Sequence, residues 1–189
     1  MNVLKCLLLL FFFAGNLWAR PNVLFIAVDD LRDWVGHLGG HPNAKTPNID
    51  RLAKGGVSFT RAYCSAPLCN PSRISLLTGV APFRSGVYGN GERLRKKLPD
   101  AVTLMQHFRA SGYSSRGAGK IFHGTKPYDA DSWDDYFVAE RQIPPASFKR
   151  DPKLSKSAWV PWGALDCGEE DMYDGKTADW IVSELEKPQ

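Results

Sequence analysis

The sequence predicts an α/β fold built on a mostly parallel sheet. Val23 to Val28 is an unbroken apolar run that stops at Asp29-Asp30, and unbroken apolarity is typical of a strand that is covered on both faces. Helix-starting residue pairs then alternate with short apolar segments along the chain, as in parallel α/β folds. The 189 residues, 43% hydrophobic and 23% charged, suffice for one domain with a core and exclude a disordered chain.

Local signals justify the elements of the first half. Thr46-Pro47 places an N-cap residue before a proline at the first helical position, and Gly55-Gly56 ends that helix. Val57 to Thr60 alternates apolar and polar residues, which predicts a second strand. Asn70-Pro71 repeats the helix-starting pair, and Gly79 ends this second helix.

The second half carries weaker signals. A helix follows Pro99-Asp100 and ends before Gly112, and a polar segment from Tyr113 to Ala118 predicts a weak strand. Asp129 to Glu170 shows no clear period and predicts loops with short elements, an insertion that could line a cleft. Thr177 to Lys187 has apolar residues at helical spacing and predicts an amphipathic helix.

The N-terminal segment has the pattern of a secretory signal peptide. Lys5 precedes a nine-residue apolar run (6 to 14), and the small residue Ala19 follows. The run is far shorter than the roughly 20 residues that span a bilayer. We therefore expect a signal peptide at 1–19, a mature domain at 20–189, export to the periplasm, extracellular space or lysosome, and no membrane attachment after cleavage.

Two groups of residues could carry chemistry. Asp29 and Asp30 follow the predicted strand, where their carboxylates could bind a hard cation or simply form a solvated pair. Cys69 precedes a helix N-terminus and Arg73 adds a positive charge, an arrangement that favours an anion. The alternative is a buried cysteine beside an ordinary helix. The mature chain would hold three cysteines, an odd number, which suggests that one thiol has another fate.

Three motifs carry a resemblance to a known family. Cys69 to Gly79 reads C-x-P-S-R followed by x-x-x-L-T-G, and it resembles the signature of the sulfatase family in the alkaline phosphatase superfamily. Pro21 to Asp30 and Thr46 to Ala53 precede it in the family's order. The Asp29-Asp30-Leu31-Arg32 and Gly119 to His123 segments are most similar to iduronate-2-sulfatase-like members.

This resemblance implies an alkaline phosphatase-like sheet and a sulfuric ester hydrolase. A formylglycine-generating enzyme would oxidise Cys69 to an aldehyde, formylglycine. One hydroxyl of the hydrated aldehyde would attack sulfur, and the second would expel sulfate. Asp29 and Asp30, together with the modified residue 69, would bind Ca²⁺. Cys64 and Cys167 would then remain, as a disulfide or as two free thiols.

The other roles are also implied by the resemblance. Arg73 would hold the hydrated aldehyde, Lys120 would neutralise charge on the sulfate, and His123 would assist proton movement. The substrate would be a sulfated carbohydrate. The formal net charge of +4 is too mild to indicate a nucleic acid partner.

The chain also departs from the family pattern. The calcium site of sulfatases is completed by a later Asp followed by His, Asn or Gln, and neither Asp166 nor Asp171 has such a neighbour. We therefore expect an N-terminal portion of a sulfatase, which could be inactive by itself. Two alternatives stay open: a phosphate or phosphonate ester hydrolase of the same superfamily, and a non-catalytic anion-binding remnant.

Three weaker candidates have structural alternatives. His37 and His41 could bind a metal, although a surface loop is the favoured interpretation. The Glu92 to Lys97 run could steer an anionic glycan, although most such runs are merely solvated. Trp159 to Trp162 could form a sugar-stacking wall or pack a loop.

Overall fold

The computed structural model describes residues 20–124, 128–139 and 167–187. The chain divides into two compact units, Met1–Arg32 and Asp33–Gln189. The predicted signal peptide and the Trp159 to Trp162 segment lie outside the described residues. None of the helices within the described ranges combines the length and apolarity that a membrane span requires.

The first unit does not contain the predicted strand. Val23 to Val28 forms neither helix nor strand, and its large side chains are exposed, Ile26 by 68%. A strand exists only through hydrogen bonds to a neighbouring strand, and the described residues of this unit provide none. The predicted strand is therefore wrong for this structure. Apolar composition shows that a segment can bury its side chains against neighbours, but it does not show that a neighbouring strand is present.

The second unit is mainly helical in its described part. Its α-helices are α1 (Pro47–Gly55), α2 (Cys69–Thr78), α3 (Pro82–Ser85), α4 (Leu94–Lys97), α5 (Leu104–Ala110) and α6 (Tyr173–Leu185). Short 3₁₀ turns cover Gly36–Leu38, Ala130–Ser132 and Glu169–Asp171. Two strands, β1 (Arg116–Ala118) and β2 (Asp135–Phe137), pair in parallel with Gly117 opposite Tyr136.

Local signals predicted α1, α2, α5 and α6, whereas the four-residue helices α3 and α4 were not predicted. Thr46 precedes α1 with Pro47 at its first position, and Gly79 ends α2 in the left-handed conformation at φ 71°, which glycine adopts without strain. Thr103 and Gln106 form a capping box at the start of α5. The predicted Val57 to Thr60 strand is wrong, since that segment has no strand structure.

A small apolar core lies under α2. It contains buried side chains from three helices and two loops: Ile74, Leu77, Val87, Leu94, Met105 and Phe122. Ile74 is only 1% exposed. Burial of an aliphatic side chain of this size stabilises a fold by about 1.5–3 kcal/mol. The helix that begins at Cys69 is therefore fixed along one face.

The strand pair is covered by the C-terminal helix. Arg116 of β1 forms an ion pair with Glu184 of α6, and the ring of Phe137 in β2 stacks on Trp180 at 5.5 Å and 10°. The weak strand predicted near Ala118 is confirmed in β1. The prediction of loops with short elements over 129–170 is confirmed within the described residues, where β2 and the Ala130–Ser132 turn have three residues each.

Candidate active site

Cys69 is the first residue of α2 and is partly exposed. The preceding residue, Leu68, contributes no side-chain hydrogen bond to cap the helix. The Lys120 ammonium Nζ lies 3.8 Å from Cys69 Sγ, although the two residues are 51 positions apart in sequence. The fold thus brings together two residues that the sequence predicted for one site.

Arg73 lies one turn after Cys69 and connects α2 to a second segment. Its Nη1 donates hydrogen bonds to the carbonyl oxygens of Lys120 and Ile121, the latter at 3.1 Å. We call residues Gly119 to Gly124 the Lys–His loop. Phe122 of this loop is buried in the core. Arg73 and Phe122 together hold the loop against α2, and this places Lys120 beside Cys69.

Tyr136 fixes the start of the Lys–His loop. Its hydroxyl donates a 2.5 Å hydrogen bond to the carbonyl oxygen of Gly119, which adopts a left-handed φ of 77°. Burial raises the pKa of Tyr136, so the hydroxyl stays protonated and remains a donor. No local sequence pattern predicts this role, because the partner of Tyr136 lies 17 positions away along the chain.

His123 lies in the same loop, three residues after Lys120. Its Nδ1 atom is buried and has no hydrogen-bond partner among the described residues. A buried polar atom without a partner is costly, so such atoms are uncommon away from functional sites. This imidazole therefore fits the role of a group that exchanges a proton with a bound oxygen atom.

The start of α2 offers fewer free N–H groups than the sequence suggested. The N–H of Asn70 donates to Asn90 Oδ1 at 3.1 Å, Pro71 has none, and Ser72 donates to the Leu68 carbonyl. Of the first four helical residues, only Cys69 keeps an N–H without a partner among the described residues. The helix terminus therefore offers little to an anion by itself, and the positive charges of Arg73 and Lys120 add to it.

Asp29 and Asp30 form an exposed turn in the first unit. Asp30 has a positive φ of 55°, a conformation that aspartate tolerates better than most residues. Carboxylate oxygens suit Ca²⁺, but this ion takes about six to eight oxygen ligands. No group of three or more His, Cys, Asp or Glu side chains that could hold a metal occurs among the described residues. The donors fit calcium in kind and fall short in number.

The histidines of the first loop make local contacts. His37 Nε2 lies 3.1 Å from Ser58 Oγ, and His41 Nδ1 accepts a 3.1 Å hydrogen bond from the Asn43 N–H. These contacts favour the structural interpretation of the loop. Cys64 and Cys167 are both exposed free thiols, so the structure contains no disulfide between them.

The Glu92 to Lys97 run also has a structural role. Arg95 makes a two-pronged ion pair with Asp129, at 2.7 and 2.6 Å, and Asp129 is only 5% exposed. Burial by itself would raise the pKa of Asp129, but hydrogen bonds from Arg95 and Ser132 lower it overall. Arg95 is therefore committed to holding the fold and is not available to steer a glycan.

Comparison with a solved structure defines the class of fold. The chain matches the phosphonate monoester hydrolase of Agrobacterium radiobacter with a TM-score of 0.68 over 90% of this chain and 39% of that chain, at 22% identity. A likeness at this identity concerns the fold alone. It confirms an alkaline phosphatase-like fold, present here in part.

Sequence comparisons identify the family. Residues 21–188 match the Sulfatase family model, and the chain belongs to the sulfatase family. It is 35% identical over 183 residues to a sulfatase of Formosa agariphila, covering 89% of this chain and 36% of that protein. It is 31% identical over 176 residues to human iduronate 2-sulfatase, covering 88% of this chain and 32% of that protein. Bovine arylsulfatase A is 46% identical to it over 115 residues, which cover 58% of this chain and 22% of that protein. The chain thus spans about a third or less of the length of these relatives.

Proposed function

We propose that this chain carries the nucleophile half of a sulfatase active site and acts in the hydrolysis of sulfate esters. The observation that carries the proposal is the placement of Cys69, at the start of α2, with Lys120 Nζ 3.8 Å from its sulfur. Arg73 lies one helical turn further on and contacts the same loop as Lys120. Two cationic side chains beside the nucleophile would stabilise the single negative charge of a sulfate ester and the two charges of the sulfate that is released.

Formylglycine made from Cys69 would supply a hydroxyl nucleophile with its own route for releasing sulfate. The chain's residues would prepare the site for that chemistry. Arg73 carries a permanent charge and is held by backbone carbonyls, so it keeps a fixed place beside residue 69. Lys120 would neutralise a sulfate oxygen, and His123, with its buried Nδ1, would hold or move a proton.

Calcium is part of the same proposal. Asp29 and Asp30 would supply two of its carboxylate ligands, of the roughly six to eight oxygen ligands that this ion takes. The ion would bind sulfate oxygens when present. The N-terminal pattern at 1–19 supports export of this enzyme, with no membrane attachment after cleavage, and a formylglycine-generating enzyme would be its maturation partner.

The proposed substrate is a sulfated carbohydrate. Relatives named iduronate 2-sulfatase and N-acetylgalactosamine-6-sulfatase support this class, the latter at 38% identity over 119 residues. The solved structure of similar fold is named a phosphonate monoester hydrolase, so phosphonate esters are the comparison to include in any assay.

A matched pair of cysteine variants tests the proposal. The chain is produced with a formylglycine-generating enzyme and assayed with an aryl sulfate and Ca²⁺, in parallel with an aryl phosphonate. We expect sulfate turnover that Cys69→Ala abolishes and that Cys64→Ala leaves unchanged, because Cys64 is an exposed thiol five residues earlier. Preference for the phosphonate ester, or turnover that survives Cys69→Ala, would refute the proposed reaction. Anion binding without turnover would identify a non-catalytic remnant.

A further inference from the structure

The second residue of the nucleophile's helix makes an unusual set of contacts. Asn70 is only 5% exposed, and its carboxamide nitrogen donates to the carbonyl oxygens of Gly89, at 2.9 Å, and Glu92, at 2.8 Å. Both hydrogens of the amide are therefore used. Two carbonyl partners also fix which amide atom is the nitrogen.

The loop that accepts these hydrogen bonds also contacts the backbone of Asn70. Asn90 Oδ1 accepts the Asn70 backbone N–H at 3.1 Å. Because Leu68 provides no side-chain cap, Asn90 takes over the capping function from 20 positions away in sequence. A side-chain cap stabilises a helix start because it gives a partner to an N–H group that has none within the helix.

The loop that carries Asn90 is itself closed. Glu92 Oε2 accepts hydrogen bonds from the Tyr88 and Gly89 N–H groups, at 2.5 and 2.7 Å. Its other oxygen forms a 2.8 Å ion pair with Lys97 at the end of α4. The loop therefore presents Asn90 and its carbonyl oxygens to α2 in one conformation.

We propose that Asn70 and the 88–92 loop form a clamp that fixes the first turn of α2, which makes Asn70 and Asn90 positioning residues for Cys69. The clamp holds the first turn of α2, and the Arg73 contacts with the Lys–His loop hold the helix about one turn further on. Residue 69 is thereby kept in one place relative to Lys120. As a role in catalysis the inference rests on the proposed function, while the placement of Cys69 can be tested without it.

Four variants separate positioning from general stability. Asn90→Ala removes the cap, whereas Asn90→Asp keeps an acceptor oxygen. Asn70→Asp replaces the donating amide nitrogen with a carboxylate oxygen, which cannot donate to the carbonyl oxygens of Gly89 and Glu92. Gln106→Ala is the matched control, because it removes a capping side chain from α5 whose hydrogen bonds are made with Thr103 and Arg95.

The first readout is the rate of alkylation of Cys69 relative to Cys64 in unconverted protein, resolved by fragmentation of the peptide that contains both. We expect Cys69, partly buried, to react about tenfold more slowly than the exposed Cys64 in the wild type. The ratio should approach one in Asn90→Ala and Asn70→Asp and stay low in Asn90→Asp and Gln106→Ala. A wild-type ratio of one, an unchanged ratio in both clamp variants, or an equal change in Gln106→Ala would overturn the proposal.

The second readout is kinetic and uses converted protein with an aryl sulfate. Misplacement of a reacting group lowers kcat, and we expect a loss of about tenfold to a hundredfold in Asn90→Ala at unchanged KM, restored by Asn90→Asp. A raised KM at unchanged kcat would contradict positioning. If converted wild-type protein shows no turnover, the proposed function fails, while the alkylation ratio still decides whether the clamp exists.

Discussion

Helix α2 and the Val23 to Val28 segment are both rich in apolar residues, yet they differ in what surrounds them. Ile74 of α2 lies in the core at 1% exposure, whereas Ile26 is 68% exposed. The helix forms its own backbone hydrogen bonds and needs neighbours only for its side chains. The extended segment needs another strand even for its backbone groups. Apolar sequence therefore stabilises this protein only where a second segment covers it.

The largest expected effect comes from truncating the same residue type in each region. Ile74→Ala should lower the free energy of unfolding by about 2–5 kcal/mol, because it leaves a cavity under α2. Ile26→Ala should change it by no more than about 0.5 kcal/mol, because the side chain is largely exposed. Urea unfolding followed by tryptophan fluorescence measures both. Equal losses in the two variants would show that Val23 to Val28 is packed as tightly as the core.

The two regions also show what the sequence could predict. The start of α1, the end of α2 and the capping box of α5 are set by residues within a few positions of each other, so local signals found these helices. The β1–β2 pair joins segments 19 positions apart, and the Val23 to Val28 strand would need a partner outside its own unit's described residues. Strand prediction was therefore less successful than helix prediction: β1 was predicted as a weak strand, whereas Val23 to Val28 and Val57 to Thr60 form no strand in the structure.

The residues of the candidate site also fall into two groups, those that sequence motifs predict and those that only the structure reveals. Cys69, Arg73, Lys120 and His123 were predicted through motifs that resemble sulfatases, and the structure brings Cys69, Arg73 and Lys120 together. Tyr136, Asn70 and Asn90 were missed as site residues. Their contacts reach 17 to 22 positions along the chain and involve backbone atoms, which carry no sequence signal.

A smaller expected effect is a pH dependence of the free energy of unfolding, which comes from Glu92 in the 88–92 loop. An exposed segment without such contacts would show none. Hydrogen bonds from Lys97 and from the Gly89 and Tyr88 N–H groups lower the pKa of Glu92 from 4.5 to about 2. A carboxyl with a lowered pKa stabilises the folded state fully above its unfolded value of 4.5, and this stability is lost as the pH falls towards 2.

We therefore expect the stability of wild-type protein to fall between about pH 6 and pH 3 by more than that of Glu92→Gln. Urea midpoints at both pH values measure the difference. Glu186→Gln, which removes an exposed carboxylate beyond α6, is the control and should behave as wild type. An identical pH response in wild type and Glu92→Gln would show that this carboxylate does not hold the 88–92 loop.

The decisive measurement is the chemical identity of residue 69. The chain is produced in a host that makes formylglycine, and the tryptic peptide from Ala62 to Arg73 is analysed by mass spectrometry after reaction with a hydrazide. We expect an aldehyde at position 69 that forms a hydrazone, with an intact thiol at Cys64. A thiol at both positions, in a host that converts a known sulfatase in parallel, would contradict the proposed function.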